Sequence, residues 1–243
     1  MTSSYLPKNS CIELPQATFE FHRPLPKSTA VLFLGGRAPS EAWAHSLLDG
    51  NTCAAICAVD RGVAICRTLM LSPDMLLGDA DSATSDDWAW GEAHAKRIER
   101  HPVRKDLTDT QLALHRMDDS NTVLLLTGAF GGRFDHAYST IFSAAQVKGT
   151  CVLADDRESI AYVRAGETLS LHCHKQPKAI SLLPMTSNVT GVTATGLYWP
   201  LADATLAQAM PNTVSNVLAD GAHDCTISIQ TGCLAVYACW VNR

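Results

Sequence analysis

What this chain lacks narrows its work before any motif is read. It has no basic stripe: 19 lysines and arginines stand against 24 acids, for a formal net charge of -5, so nucleic-acid binding has no electrostatic support. It has no apolar run near the roughly 18 residues that suggest a membrane span. The opening stretch Met1–Lys8 is polar and has no apolar core of the kind a secretory signal carries. It has no repeat of fixed period, no low-complexity tract, and neither G-x-x-x-x-G-K-[ST] nor G-x-G-x-x-G. Cysteine is present but unpatterned. The count of nine is odd, and Cys53, Cys57, Cys151, Cys233 and Cys239 sit inside apolar runs. That reads as reduced, buried thiols in a cytoplasmic protein rather than a disulfide framework. Cys53 and Cys57 have no matching pair for zinc, and His172 and His174, on one face of an expected strand, lack further ligands at a known spacing.

What is present is globular: 243 residues, 47% hydrophobic and 18% charged, enough for one large domain or two small ones. Residues 1–28 carry four prolines and little periodicity, and read as an irregular extension with at most a short strand around Thr18–Phe21. From residue 29, short apolar runs alternate with helical patterns. Ala30–Leu34, Thr52–Val59, Met75–Leu77, Thr122–Leu126 and Cys151–Ala154 read as buried strands. Ser40–Leu48, Ser85–Arg100, Asp106–Met117 and Arg133–Gln146 read as helices. This alternation predicts an α/β domain over 29–155 with a mainly parallel sheet. Over 156–243 the runs become short and alternating, with one short helical turn at Ala202–Ala209. That predicts an all-β sandwich or half-barrel.

Three stretches carry chemistry. In Gly78-Asp79-Ala80-Asp81-Ser82, two carboxylates stand two apart at the end of a strand. An extended chain points both to one side, where their oxygens suit Mg²⁺. A solvated turn is the competing reading. In Lys105-Asp106-Leu107-Thr108-Asp109, a lysine and a hydroxyl accompany two acids at the opening of a helix. The competing reading makes Asp106 the N-cap, with Asp109 on the first turn satisfying free amides. In Thr127-Gly128 through Gly131-Gly132-Arg133-Phe134-Asp135-His136, a strand runs into a glycine-rich loop and then a helix. Glycine backbone, a helix N-terminus and the Arg133 fork all suit phosphate; a plain turn with a structural arginine competes. Open α/β sheets bind ligands at this edge. So many acids in one crevice call for a divalent counter-charge, and metal, phosphates and in-line transfer follow.

With these segments in view, the sequence resembles the thiamine pyrophosphokinase family. The resemblance lies in Val59-Asp60-Arg61-Gly62, Pro73-Asp74 with Gly78-Asp79-Ala80-Asp81-Ser82, Lys105-Asp106-Leu107-Thr108-Asp109 with Ala113-Leu114, and Gly131-Gly132-Arg133-Phe134-Asp135-His136. It continues in Gly196-Leu197-Tyr198-Trp199-Pro200-Leu201 and Val214-Ser215-Asn216, in the family's order. The resemblance implies an ATP-binding α/β catalytic domain, a thiamine-binding β-sandwich, and a homodimer whose active site lies at the subunit interface. It implies attack of the thiamine hydroxyl on the β-phosphorus of ATP, giving thiamine diphosphate and AMP. It implies Asp79, Asp81 and Asp109 as catalytic Mg²⁺ ligands. Asp60, Lys105, Asp106, Thr108, Gly128, Arg133 and Asp135 would line the nucleotide region, and Ser215 and Asn216 would contact thiamine. Trp199 reads as core more than as ligand.

The sequence departs from the family pattern at Arg61 and Val63, which replace small residues, and at Val217 and Leu218, which follow Ser-Asn. Two alternatives stay open: a pyrophosphokinase for a related heterocyclic alcohol, and a non-catalytic nucleotide- or thiamine-binding module. The full acid set weighs against the module, since a mere binder gains nothing from carboxylates beside phosphates.

Overall fold

The computed structural model describes residues 10–102, 104–119 and 121–241. Residues 1–9, which include the polar Met1–Lys8 stretch and the start of the expected extension, lie outside the described residues. Contacts divide the chain into two compact units: Lys27–Asp155, and Asp156 onward together with the chain up to Pro26.

The first elements are β1 (Cys11–Leu14) and β2 (Ala17–Phe21), an antiparallel hairpin. The expected irregular extension is therefore corrected over its described part. Ile12, Leu14, Phe19 and Phe21 are all buried, and burying each such side chain contributes roughly 1.5–3 kcal/mol. The strand that pairs with β2 lies about 150 residues downstream, so local periodicity shows only half of the pattern.

The α/β unit runs β3 (Ser28–Phe33), α1 (Glu41–Gly50), β4 (Cys53–Val59), α2 (Val63–Thr68), β5 (Met75–Gly78), α3 (Ser85–His94) and β6 (Arg97–Arg100). It continues through α4 (Asp109–Met117), β7 (Thr122–Thr127), α5 (Phe134–Ala145) and β8 (Cys151–Ala154). Its strands pair in parallel in the order β8-β7-β3-β4-β5-β6. Val31–Phe33, Cys57–Val59, Leu124–Leu126 and Val152–Leu153 are buried without alternation, as central strands of a parallel sheet require. The chain builds outward from β3 to β6, then returns to place β7 on the other side of β3. That reversal puts a ligand crevice at the carboxyl ends of β3 and β7.

Two helix boundaries differ from expectation. The helix expected over Ser85–Arg100 stops at His94, and Arg97–Arg100 is an edge strand on β5. Its charged residues suit an edge, and helical periodicity cannot detect a partner strand. The helix expected from Asp106 begins at Asp109. Thr108 is its N-cap, with a capping box to Gln111. A threonine with glutamine three residues on satisfies two free amides reciprocally, which fixes the start there rather than at Asp106.

The second unit adds β9 (Glu158–Arg164), β10 (Thr168–Cys173), β11 (Ala179–Pro184), β12 (Asn188–Thr195), β13 (Leu201–Ala207), β14 (Asp224–Ser228) and β15 (Cys233–Cys239). It is antiparallel β-sheet. One sheet runs β1-β2-β10-β14-β12-β13, and β11, β15 and β9 pair in another. The helical turn expected at Ala202–Ala209 is instead β13, an irregular edge strand on β12 with Asp203 at φ 50°. The bulged register hides its alternation. No helix among the described residues is long and apolar enough to cross a membrane, and all nine cysteines are free, five of them buried.

His172 stands on β10 with Nε2 3.0 Å from Glu20 on β2 and Nδ1 3.0 Å from Asp224 on β14. His174 instead meets Thr18 through Nε2 at 3.0 Å, so the two histidines serve separate hydrogen bonds and do not converge. Burial lowers the His172 pKa, but the flanking carboxylates outweigh it and the net shift is upward. The raised value means that the pairing stabilises the fold fully below the unfolded histidine pKa and is lost as pH rises through the folded one. Partly exposed ion pairs contribute at most about 1 kcal/mol, so the apolar core holds the hairpin and His172 only tunes it. Urea unfolding of wild type and His172→Gln should therefore differ at pH 5.5 and converge by pH 8.5; a gap that widens with pH would contradict this.

Candidate active site

The site is built from loops at the carboxyl ends of β3, β4, β5 and β7 and from the segment that leads into α4. They enclose a cleft of about 820 Å³. After β5 the chain turns sharply: Ala80 adopts φ 65°, and Asp79 Oδ1 accepts the Asp81 N–H at 3.1 Å. The two acids are therefore gathered by a turn that an aspartate closes on its own backbone, not by the pleat of an extended strand. After β4, Asp60 opens a 3-10 turn at φ 48°, and Ser82 Oγ donates to Asp60 Oδ2. Left-handed conformations at non-glycine residues cost about 1–3 kcal/mol and cluster where geometry serves function. Here two of them, at Asp60 and Ala80, flank one acid cluster.

Asp60, Asp79 and Asp81 each bring a carboxylate oxygen within 4.8 Å of the others. Asp109, on the first turn of α4, joins through Lys105. Lys105 Nζ lies 2.7 Å from Asp79 Oδ2 and 3.1 Å from Asp109 Oδ2. Crowding leaves its mark on ionisation. Burial raises the Asp60 pKa, with Asp109, Asp79 and Asp81 adding to it against the Ser82 hydrogen bond. Burial also works against ionised Asp79, but Lys105 and the Asp81 N–H hold its pKa below the usual range. The hydrogen bond shared with Asp79 raises Asp81. Burial lowers Lys105, yet Asp79 and Asp109 carry it upward. Asp60 Oδ1 and Asp109 Oδ1 are buried and have no hydrogen-bond partner among the described residues. Oxygen-only donors with unpartnered buried atoms fit a hard divalent cation.

Opposite the acids, two glycine loops lie together. The Gly36 N–H donates to Gly128 O at 2.8 Å and the Arg37 N–H to Phe130 O at 2.6 Å. A Cβ on Gly36 would stand 2.4 Å from Gly128 O, and one on Gly128 would stand 2.2 Å from Leu34 O. No larger residue fits this approach. Arg37 crosses behind the loops to Asp155, whose side chain is fully buried, with Nη2 at 2.6 Å.

Of the residues singled out in the sequence, Asp60, Asp79, Asp81, Lys105, Asp106, Thr108, Asp109, Gly128 and Arg133 all line the cleft. Asp135 does not; it is exposed and takes the Arg133 Nε–H at 3.1 Å. Ser215 and Asn216 belong to the other unit. Ser215, at φ 61°, donates its N–H to Ser181 Oγ at 3.0 Å. The Asn216 side chain clips the Trp199 backbone, donating to its carbonyl at 2.8 Å and accepting its N–H at 3.2 Å. Trp199 is 58% exposed and meets Tyr198 edge-on at 4.8 Å, so it is a surface residue rather than core. Sequence reasoning missed Gly36 and Arg37 as partners of the second glycine loop. It also missed that Arg61 leans on Gly35 O, with Nε at 3.0 Å, at the cleft wall. The Gly35-Gly36 pair after β3, echoing Gly131-Gly132 after β7, was the available signal.

Comparison with known proteins bears on this arrangement. A family model described as "Thiamin pyrophosphokinase, catalytic domain" matches residues 48–153, and one described as "Thiamin pyrophosphokinase, vitamin B1 binding domain" matches 168–234. A thiamine pyrophosphokinase of Bacillus subtilis (strain 168) is 25% identical over 164 residues, 66% of this chain and 76% of that protein. Thiamine pyrophosphokinase 1 of Oryza sativa subsp. japonica is 26% identical over 160 residues, 60% of this chain and 59% of that one. Among solved structures, the Bacillus subtilis thiamine pyrophosphokinase superposes with a TM-score of 0.71 at 21% identity, covering 88% of this chain and 99% of that one. The Candida albicans thiamin pyrophosphokinase gives 0.71 at 16% identity, covering 87% and 90%. Two domain models matched in order across more than half of the sequence settle the kinship: this chain belongs to the thiamin pyrophosphokinase family.

Proposed function

We infer that the acid cleft is where this chain carries out its family's reaction, ATP-dependent pyrophosphoryl transfer to thiamine. One observation carries the assignment: Asp60, Asp79 and Asp81 converge at the edge of the sheet where Lys105 and the glycine loops also meet. Asp60, Asp79 and Asp81 would hold Mg²⁺, with the unpartnered Asp109 Oδ1 as a further donor. When bound, the ion supplies charge neutralisation and orientation for the reacting phosphates. Relative to the ligand set implied by sequence, Asp60 thus gains a role and Asp109 shares its own with Lys105.

The chain's own groups do the rest. Backbone N–H groups of the Gly128–Gly132 loop and the N-terminus of α5 face the polyphosphate. Arg133, exposed at the cleft, faces the phosphate oxygens while its Nε–H stays on Asp135, which orients the guanidinium instead of touching nucleotide. Thr108 Oγ already accepts the Gln111 N–H, which leaves its own proton to donate into the cleft. Arg61 adds a cation at the wall. The acceptor hydroxyl needs little basic help in a loose transition state.

Thiamine is assigned to the β unit, where Ser215, Asn216 and the exposed Trp199 lie in one hydrogen-bonded segment. We propose a homodimer in which that surface of one subunit serves the cleft of its partner. Leu218 is buried and bridged to Leu197. This departure from the family pattern is thus a core residue, and it gives no support to a different heterocyclic alcohol. Nine free thiols suit a reducing, cytoplasmic setting.

Asp81→Asn should fold, by unchanged circular dichroism, and lose turnover by on the order of 10²–10³. Activity within a few-fold of wild type would remove Asp81 from the cation's ligands. Chromatography of nucleotides after turnover with thiamine should show AMP. ADP would mean simple phosphoryl transfer, and no product would leave a binding module.

A further inference from the structure

We infer that Lys105 is a built-in competitor for the divalent cation: its ammonium and the ion exchange on the carboxylates of Asp79 and Asp109, and the exchange frees the lysine for the polyphosphate. This rests on the reading of Asp60, Asp79 and Asp81 as cation ligands.

Geometry carries the argument. Lys105 Nζ touches Oδ2 of both Asp79 and Asp109, at 2.7 and 3.1 Å, and only 14% of the lysine side chain is exposed. These contacts are therefore screened less than a surface pair. The other oxygen of Asp79 accepts the Asp81 N–H. Each oxygen keeps a second lone pair, so a dication that draws on Asp79 can share an oxygen with the backbone N–H, but the neighbouring ammonium repels it. The backbone bond is part of the turn that gathers the acids; the ammonium is the partner that can leave. Lysine carries a compact charge on a flexible stem, and it makes point contacts rather than a fixed fork. Lys105 also precedes α4, whose cap is Thr108, so helical packing does not fix its stem.

There is somewhere for the lysine to go. The cleft it lines is also lined by Gly128, Gly131, Gly132 and Arg133. An ammonium displaced from the carboxylates remains in reach of an anion held there. Cation and nucleotide then favour one another through the protein, beyond their direct attraction for each other, and such coupling is reciprocal.

The test is Mg²⁺ titration, by calorimetry, into the nucleotide-free full chain and its Lys105→Met variant. Removal of the competitor should tighten Mg²⁺ binding on the order of tenfold. Equal or weaker binding by the variant overturns the exchange and makes Lys105 a positioning residue that orients the acids. Absence of saturable Mg²⁺ binding by both chains overturns the cation assignment, and the exchange with it. A second measurement needs no variant. Reductive methylation of the wild-type chain, read by mass spectrometry, should label Lys105 faster in saturating Mg²⁺ than in chelator, relative to Lys96, which pairs with Asp74 away from the cleft. An unchanged or slower rate overturns the exchange.

Discussion

Asp60, Asp79, Asp81 and Asp109 crowd one end of the sheet, and Lys105 is the cation that pairs with two of them there. Like charges this close raise one another's pKa and push the loops apart unless something neutralises them. Everything else at the site answers that constraint. The Asp81 N–H closes onto Asp79, the Ser82 hydroxyl onto Asp60, and both turns accept left-handed backbone to do so. The unpartnered oxygens of Asp60 and Asp109 mark how much acceptor capacity is left over for a dication. An ordinary surface turn would spread its acids into water. This one spends strain to bring them together.

The fold makes the crowding tolerable by making its surroundings rigid. β3, β4, β5 and β7 are buried central strands whose carboxyl ends lie side by side. The loops after β3 and β7 come so close that only glycine fits at Gly36 and Gly128. The Arg37–Asp155 pair braces them from behind. A buried pair of this kind is poor evidence for net stability, because desolvation offsets its attraction. Its effect is to fix the loop that carries Arg37 rather than to add stability.

In the β unit, the same economy is achieved with neutral groups. Asn216 holds the Trp199 segment through both ends of its amide, and Ser215 is seated on Ser181. The Ser-Asn pair thus shapes the loop that presents the exposed indole, in addition to any contact of its own. That explains how Val217 and Leu218 can follow it: Leu218 faces the core, where an apolar residue is the ordinary choice.

The sequence by itself determined the two fold classes and the placement of the acids. Unbroken apolar strands of a parallel sheet and alternating strands of an antiparallel one are local patterns. The order Asp60, Asp79, Asp81, Lys105, Asp109, Gly128, Arg133 is local too. Only the tertiary structure decided what depended on a distant partner. The hairpin of Ile12, Leu14, Phe19 and Phe21 is a sheet edge because β10 lies against it. Arg97–Arg100 is a strand because β5 is beside it. Asp60 joins the acid cluster, and Lys105 bridges Asp79 to Asp109, because parallel strands bring separate loops to one edge. Patterns of period 2 and 3.6 report which face of an element is buried, whereas pairing across the chain is a long-range event they do not contain.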